Sequence, residues 1–241
     1  MIRAALALAA ALLAAPALAQ TPVQLEAADG VKIDGALWKA QGKARGIVLL
    51  FHMAGSNRGE YSTIAPRLAA KGYDALAIDQ RSGGDSFGRR NETVKTLGRA
   101  TGFQQALPDL EAALAYARKT GEPVAIWGSS YSASLVFVLA ARHPGEVAAV
   151  LAFSPGEYFG GRAVKDAAAK VAAPVFVTSA SDGGEIAEAK AILAASPATL
   201  KVQHVPASGL HGSSTLRADA NAAGAEKNWA AVEGFLAKAL P

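Results

Sequence analysis

Beyond residue 20 the chain alternates short, wholly apolar runs with longer segments of helical period. Two earlier runs of partial alternation, Val23–Ala27 and Lys32–Lys39, flank Asp29-Gly30, a dipeptide suited to a hairpin turn. From Gly46 onward the pattern changes. Gly46–Phe51, Asp74–Ile78, Val124–Trp127, Val147–Phe153 and Val175–Ser179 read as strands covered on both faces, and Leu200–Val205 as the last strand. Between and after them, Thr63–Lys71, Gln105–Lys119, Ser130–Arg142, Arg162–Lys170, Glu185–Ala195 and Ala225–Leu240 read as helices. Pro66 sits in the first turn of its helix, and Gly72 and Gly121 close the first two. This alternation predicts an α/β fold: a mostly parallel eight-stranded sheet, helices on both faces and an N-terminal antiparallel hairpin. Ligands of open parallel sheets bind beyond the carboxyl ends of the strands, so the loops after strands are where chemistry is expected. Gln80–Thr101 is the longest irregular stretch.

Residues Met1–Ala19 stand apart from this pattern. One basic residue, Arg3, precedes an Ala/Leu run broken by Pro16 and ending Ala17-Leu18-Ala19. That arrangement predicts a secretory signal cleaved after Ala19, a periplasmic or secreted protein, and one domain over 20–241. The run is short and weakly apolar for a membrane span, and no other stretch of 18 apolar residues follows, so no stable membrane insertion is expected after cleavage.

Composition narrows the chemistry. With 51% hydrophobic and 18% charged residues the chain is neither disordered nor fibrous. Its lack of cysteine excludes thiolate zinc sites, iron–sulfur clusters and cysteine nucleophiles. The net charge of +4 is scattered apart from Arg81, Arg89, Arg90, Lys95 and Arg99, which are interleaved with Asp85 and Glu92. This is a solvated loop or a rim for acidic substrates, and no nucleic-acid surface. FHMAGSNRG after the first parallel strand lacks the glycine pattern of a dinucleotide site.

Gly128-Ser129-Ser130-Tyr131-Ser132 fits a small-x-Ser-x-small elbow between strand and helix, with Ser132 where glycine is usual. The elbow presents Ser130 at the sheet's top edge as a nucleophile. A serine-rich helix cap is the competing reading. A hydroxyl nucleophile needs a base. Of four histidines, His52 ends a strand, His143 ends a helix and His204 lies within a strand, while His211 alone occupies a loop at the carboxyl edge after the last strand. The imidazole needs a carboxylate. Asp182, three residues past a strand end, is the expected partner. Glu185 reads as a first-turn helix acid, and Glu157 is the weaker alternative. The order Ser130, Asp182, His211 is that of α/β hydrolases.

The Asp29-Gly30 hairpin, FHMAGSNRGEY, Asp79-Gln80-Arg81-Ser82-Gly83-Gly84, GSSYS, Ser181-Asp182 and LHGSS together resemble the α/β-hydrolase superfamily, in particular small lidless serine hydrolases related to dienelactone hydrolases and prolyl-oligopeptidase-like esterases. The resemblance implies ester cleavage through an acyl-enzyme, with the Met53 and Tyr131 N–H groups holding the oxyanion and His52 shaping its loop. It implies a small-molecule ester or acyl substrate, no metal and no organic cofactor. Dienelactone hydrolases proper use cysteine, so their lactone cleavage is not carried over. Ser154–Val171 is too short for a cap domain, and an open site is expected, walled by Phe87, Tyr158 and Phe159. A non-catalytic binding protein, a peptidase or an acyltransferase of the same fold are the alternatives.

Overall fold

The computed structural model describes residues 20–240; the expected signal segment lies outside the described residues. Eight strands form one sheet: β1 Gln20–Glu26, β2 Lys32–Trp38, β3 Ile47–Phe51, β4 Asp74–Ile78, β5 Val124–Ser129, β6 Ala149–Phe153, β7 Val175–Thr178 and β8 Lys201–His204. Their order is β1-β2-β4-β3-β5-β6-β7-β8. β1 and β2 pair antiparallel, β2 joins β4 antiparallel, and every later pairing is parallel. The turn between β1 and β2 passes through Gly30 at φ 81°, which its lack of a Cβ permits.

Among the described residues, seven α-helices flank the sheet: α1 Ile64–Ala70, α2 Glu92–Leu97, α3 Leu107–Arg118, α4 Tyr131–Arg142, α5 Ala163–Ala168, α6 Gly183–Ala195 and α7 Ala225–Ala239. The two-residue period of the strands divides the core into two layers. Leu49, Ile126, Val150 and Val177 face α3, α4, α5 and α6 through Leu110, Leu114, Phe137, Val164 and Ile192. Leu50, Trp127, Leu151 and Phe176 face α1 and α7 through Leu68, Trp229, Val232 and Phe235. On that second face Trp127 stacks on Phe153 at 4.2 Å, and Phe176 meets Phe235 at 5.5 Å. The expected α/β architecture is present, and the short helix α5 connects β6 to β7.

Two polar clusters fix the loops above the sheet. Asn57 donates to the carbonyls of Gly84, Ser86 and Arg89, and Asn91 donates to those of Ser56 and Gln80. These bonds sew the β4 loop onto the β3 loop. Buried Asp109 accepts from the Arg81 backbone N–H at 2.8 Å and from its Nε at 2.7 Å, and burial pushes the Asp109 carboxyl up to about 6. The "irregular" stretch after β4 is therefore ordered, and it contains α2, whose first turn Asn91 caps at the Val94 N–H.

Phe176 is fully buried in the layer beneath α7. Phe176→Ala is expected to lower unfolding free energy by about 3–5 kcal/mol, read from the urea midpoint. A midpoint equal to wild type would remove Phe176 from the supporting core.

Candidate active site

The elbow begins where β5 ends. A Cβ on Gly128 would meet the Ser132 carbonyl oxygen at 2.1 Å, so the turn closes only with glycine there. Ser130 takes φ 59° and ψ −125°, a costly conformation for a residue with a side chain. It is held by its N–H donating to Phe153 O at 2.8 Å and its carbonyl accepting from Ala133 N–H at 2.8 Å. Ser132, at the position where glycine is usual, is fully buried, and its hydroxyl donates to His52 O at 2.7 Å. Gln80 Nε2 donates to the same hydroxyl at 3.0 Å and to Tyr131 OH at 2.7 Å. The extra hydroxyl thus joins the elbow to the ends of β3 and β4.

His211 lies on the loop between β8 and α7, and its Nε2 stands 2.8 Å from Ser130 Oγ. Its Nδ1 stands 2.8 Å from Glu185 Oε1. The carboxylate at His211 is therefore Glu185, and the expectation of Asp182 is corrected. Asp182 is the N-cap of α6, with its Oδ1 accepting from the Glu185 N–H at 3.0 Å. Its short side chain is committed to the helix it starts, while Glu185, one turn in and one methylene longer, reaches back over the helix end. The other Glu185 oxygen accepts from Ser154 Oγ at 2.7 Å and Ala180 N–H at 2.9 Å. Partial burial opposes ionisation of Glu185. The bonds from Ser154, Ala180 and His211 outweigh it and hold the carboxyl below its ordinary value. Glu157 caps α5 through the Val164 and Lys165 N–H groups and takes no part.

Ser154 is a site residue that sequence reasoning missed. It is buried with φ 58°, and its hydroxyl also accepts from the Gly212 N–H at 2.9 Å, tying the His211 loop to Glu185.

The remaining histidines behave as their positions suggested. His204 bonds Asn228, and His143 ends α4 beside Glu146. His52 is fully buried, its Nε2 accepting from the Gln80 N–H at 2.9 Å and its Nδ1 donating to Met53 O at 2.8 Å. Burial lowers its pKa to about 4, so it shapes the loop as a neutral ring.

The two expected oxyanion donors fare differently. Tyr131 N–H is at the first position of α4, where amides have no intrahelical acceptor. Met53 N–H, in contrast, donates to Glu60 Oε2 at 2.8 Å, so it points at a buried carboxylate and is not free for an oxyanion.

Phe103, Tyr158 and Phe159 line a cleft of about 450 Å³ with Gln104 and Gln105. Tyr158 adjoins the Ser130 side chain, and its hydroxyl donates to Ser154 O at 3.2 Å. Phe103 stacks on Tyr131 at 4.4 Å. Of the three expected wall residues, Phe87 does not line this cleft. It sits at φ 51° on the Ser86–Arg89 turn, beneath the Arg217 guanidinium at 4.7 Å.

The sheet order, the strained serine elbow and the imidazole above it define an α/β hydrolase. Within that class the chain belongs to the Hydrolase_4 family, described as serine aminopeptidase, S33, whose model matches residues 42–188, more than half of the chain. The match includes Ser130 and Glu185 and stops before His211. The chain is 29% identical over 136 residues to a monoacylglycerol lipase of Mycolicibacterium smegmatis, covering 52% of this chain and 43% of the lipase. It is 32% identical over 113 residues to the quorum-quenching protein AidA of Acinetobacter baumannii, covering 45% of this chain and 34% of that protein. The matched stretch thus spans less than half the length of either relative. Among solved structures, a dienelactone hydrolase from Anabaena variabilis superposes with a TM-score of 0.70 at 21% identity, covering 92% of this chain and 99% of its own. That likeness is one of fold.

Asp182→Ala is expected to cost about 1 kcal/mol of stability through loss of the helix cap, measured by urea unfolding. A loss of several kcal/mol would give Asp182 a larger part in the site than capping.

Proposed function

We propose that the protein is an exported serine hydrolase that cleaves carboxylic esters of small molecules through an acyl-enzyme, with Ser130 as nucleophile, His211 as general base and Glu185 as the orienting acid. The observation that carries this reading is the unbroken chain Ser130 Oγ, His211 Nε2, His211 Nδ1, Glu185 Oε1, with both contacts at 2.8 Å. In this reading His211 takes the hydroxyl proton as Ser130 attacks the ester carbonyl. Ionised Glu185 stabilises the imidazolium and fixes the tautomer. His211 then protonates the leaving alcohol, and water attacking the acyl-enzyme returns the site to its starting state.

The oxyanion is received by Tyr131 N–H and by Ala54 N–H. Ala54 takes the role expected of Met53 because its amide shares a planar trans peptide with Met53 C=O. His52 Nδ1 and Ser56 N–H hold that carbonyl at 2.8 and 3.3 Å, which directs the Ala54 N–H the opposite way, on an exposed turn. Each such donor is worth roughly 3 kcal/mol of barrier. The Phe103–Tyr158–Phe159 cleft takes the apolar part of the substrate. The relatives' names, a lipase among them, support an ester substrate; the family description makes peptide amides the second reading. Export rests on the Met1–Ala19 segment.

The test uses p-nitrophenyl esters of increasing chain length and p-nitroanilides of amino acids. Esters are expected to turn over and anilides to lag far behind; the reverse order would make the protein a peptidase. Ser130→Ala and His211→Ala are each expected to lower kcat by about 10⁴-fold or more, and Glu185→Ala to fall toward the same range. Asp182→Ala stays within a few-fold of wild type. A greater loss in Asp182→Ala than in Glu185→Ala would reverse the assignment of the acid.

A further inference from the structure

One ionisable group beside the site has no part in proton transfer. Glu60 follows β3 in a single helical turn, Arg58–Tyr61, and its side chain is fully buried. Tyr61 OH donating to Phe51 O at 2.6 Å and Asn57 Oδ1 accepting from Gly59 N–H at 2.8 Å fix that turn. Glu60 Oε2 accepts from Met53 N–H at 2.8 Å, and Oε1 accepts from Ser129 Oγ at 2.6 Å. Ser129 is the residue before the nucleophile. Its oxygen accepts in turn from Ser213 N–H at 2.9 Å, two residues beyond His211. Ser213 Oγ accepts from Trp127 Nε1 at 2.9 Å in the core beneath. A single carboxylate therefore joins the β3 loop, the elbow and the histidine loop.

We propose that Glu60 is a positioning residue whose ionised carboxylate ties these three loops into the working arrangement. This inference rests on the serine hydrolase reading given above.

The hydrogen count explains why ionisation matters. A carboxylate only accepts, which suits the two donors aimed at it. A protonated Glu60 must donate with one oxygen. If it donates to Ser129 Oγ, the Ser129 hydrogen loses its acceptor inside the protein, at the cost of a buried unsatisfied donor. If it donates elsewhere, the bond to Met53 or Ser129 is lost.

The groups facing Glu60 set where this happens. Arg217, beyond the His211 loop, is the nearby cation, and its Nη1 donates to Glu60 O at 2.9 Å. Tyr61 beside it and Tyr131 at the head of α4 are both pushed up by burial and stay neutral. His52 under the β3 loop is likewise neutral. Burial raises the Glu60 carboxyl to about 7, against the bonds from Ser129 and Met53 and the charge of Arg217. Its ionisation is thereby moved toward neutrality.

Glu60→Gln reproduces the protonated state, with one acceptor and one donor. The experiment measures kcat and KM for p-nitrophenyl acetate from pH 5.5 to 9 on wild type, Glu60→Gln, Ser129→Ala and Ser130→Ala, with folding followed by thermal unfolding. In wild type, log kcat is expected to fall more steeply on the acid side than in Glu60→Gln, because the Glu60 carboxyl must lose its proton. In Glu60→Gln kcat is expected to drop about 100-fold at pH 8 with KM within a few-fold, and the acid side becomes less steep. Ser129→Ala, which leaves Glu60 bonded to Met53 alone, gives a smaller loss in the same direction. If Glu60→Gln keeps the wild-type kcat and slope, or fails to fold while Ser129→Ala keeps both, the inference is overturned. If wild type is no faster than Ser130→Ala, the serine hydrolase reading itself fails, and this inference with it.

Discussion

The strained backbone of Ser130 is the constraint around which the upper face of this protein is arranged. A residue with a side chain at φ 59° is unfavourable by itself and persists only where its surroundings overdetermine it. Here they do so from three sides. Gly128 lets the chain reverse against Ser132 O, Phe153 O takes the Ser130 N–H, and Ser132 Oγ locks the elbow to β3 through His52 O. The result lifts one hydroxyl out of a tightly packed parallel sheet and leaves it within reach of an imidazole on the far side of the chain. Ser154, also at positive φ, repeats the device one strand over and donates to Glu185.

Electrostatics then separates the carboxylates by role. Glu185 collects three donors and stays ionised beside His211. Glu60, wholly buried with Arg217 as a nearby cation, has its ionisation raised toward neutrality. Asp109 is similarly raised, yet it is bound to Arg81 and organises the β4 loop away from the serine. The same side-chain chemistry is thus tuned in opposite directions by burial and donor count.

Most of the fold was legible because parallel strands buried on both faces leave unmistakable apolar runs, and β4 matches its run end to end. The misses have physical causes. β1 starts at Gln20, ahead of the apolar pattern, because antiparallel pairing with Trp38 is made by backbone groups whatever the side chains. α2 escaped because it is short and polar, with only Thr93 buried. Ser130 and His211 could be singled out by their positions after strands, and the two side chains lie 2.8 Å apart. The acid could not, because sequence shows that Asp182 and Glu185 share a helix start but not which one the cap consumes. The Met53 amide was misassigned for a similar reason: its acceptor, Glu60, lies seven residues on and is buried by contacts that no periodicity announces.

The most direct measurement of the central claim is to trap the covalent intermediate. The protein is mixed with a p-nitrophenyl ester, quenched in acid within the burst, digested and weighed by mass spectrometry. The account predicts the acyl mass on the peptide carrying Ser130, with fragmentation placing it on that residue. Steady ester turnover with no acyl adduct under those conditions, or an adduct on any other residue, would contradict it.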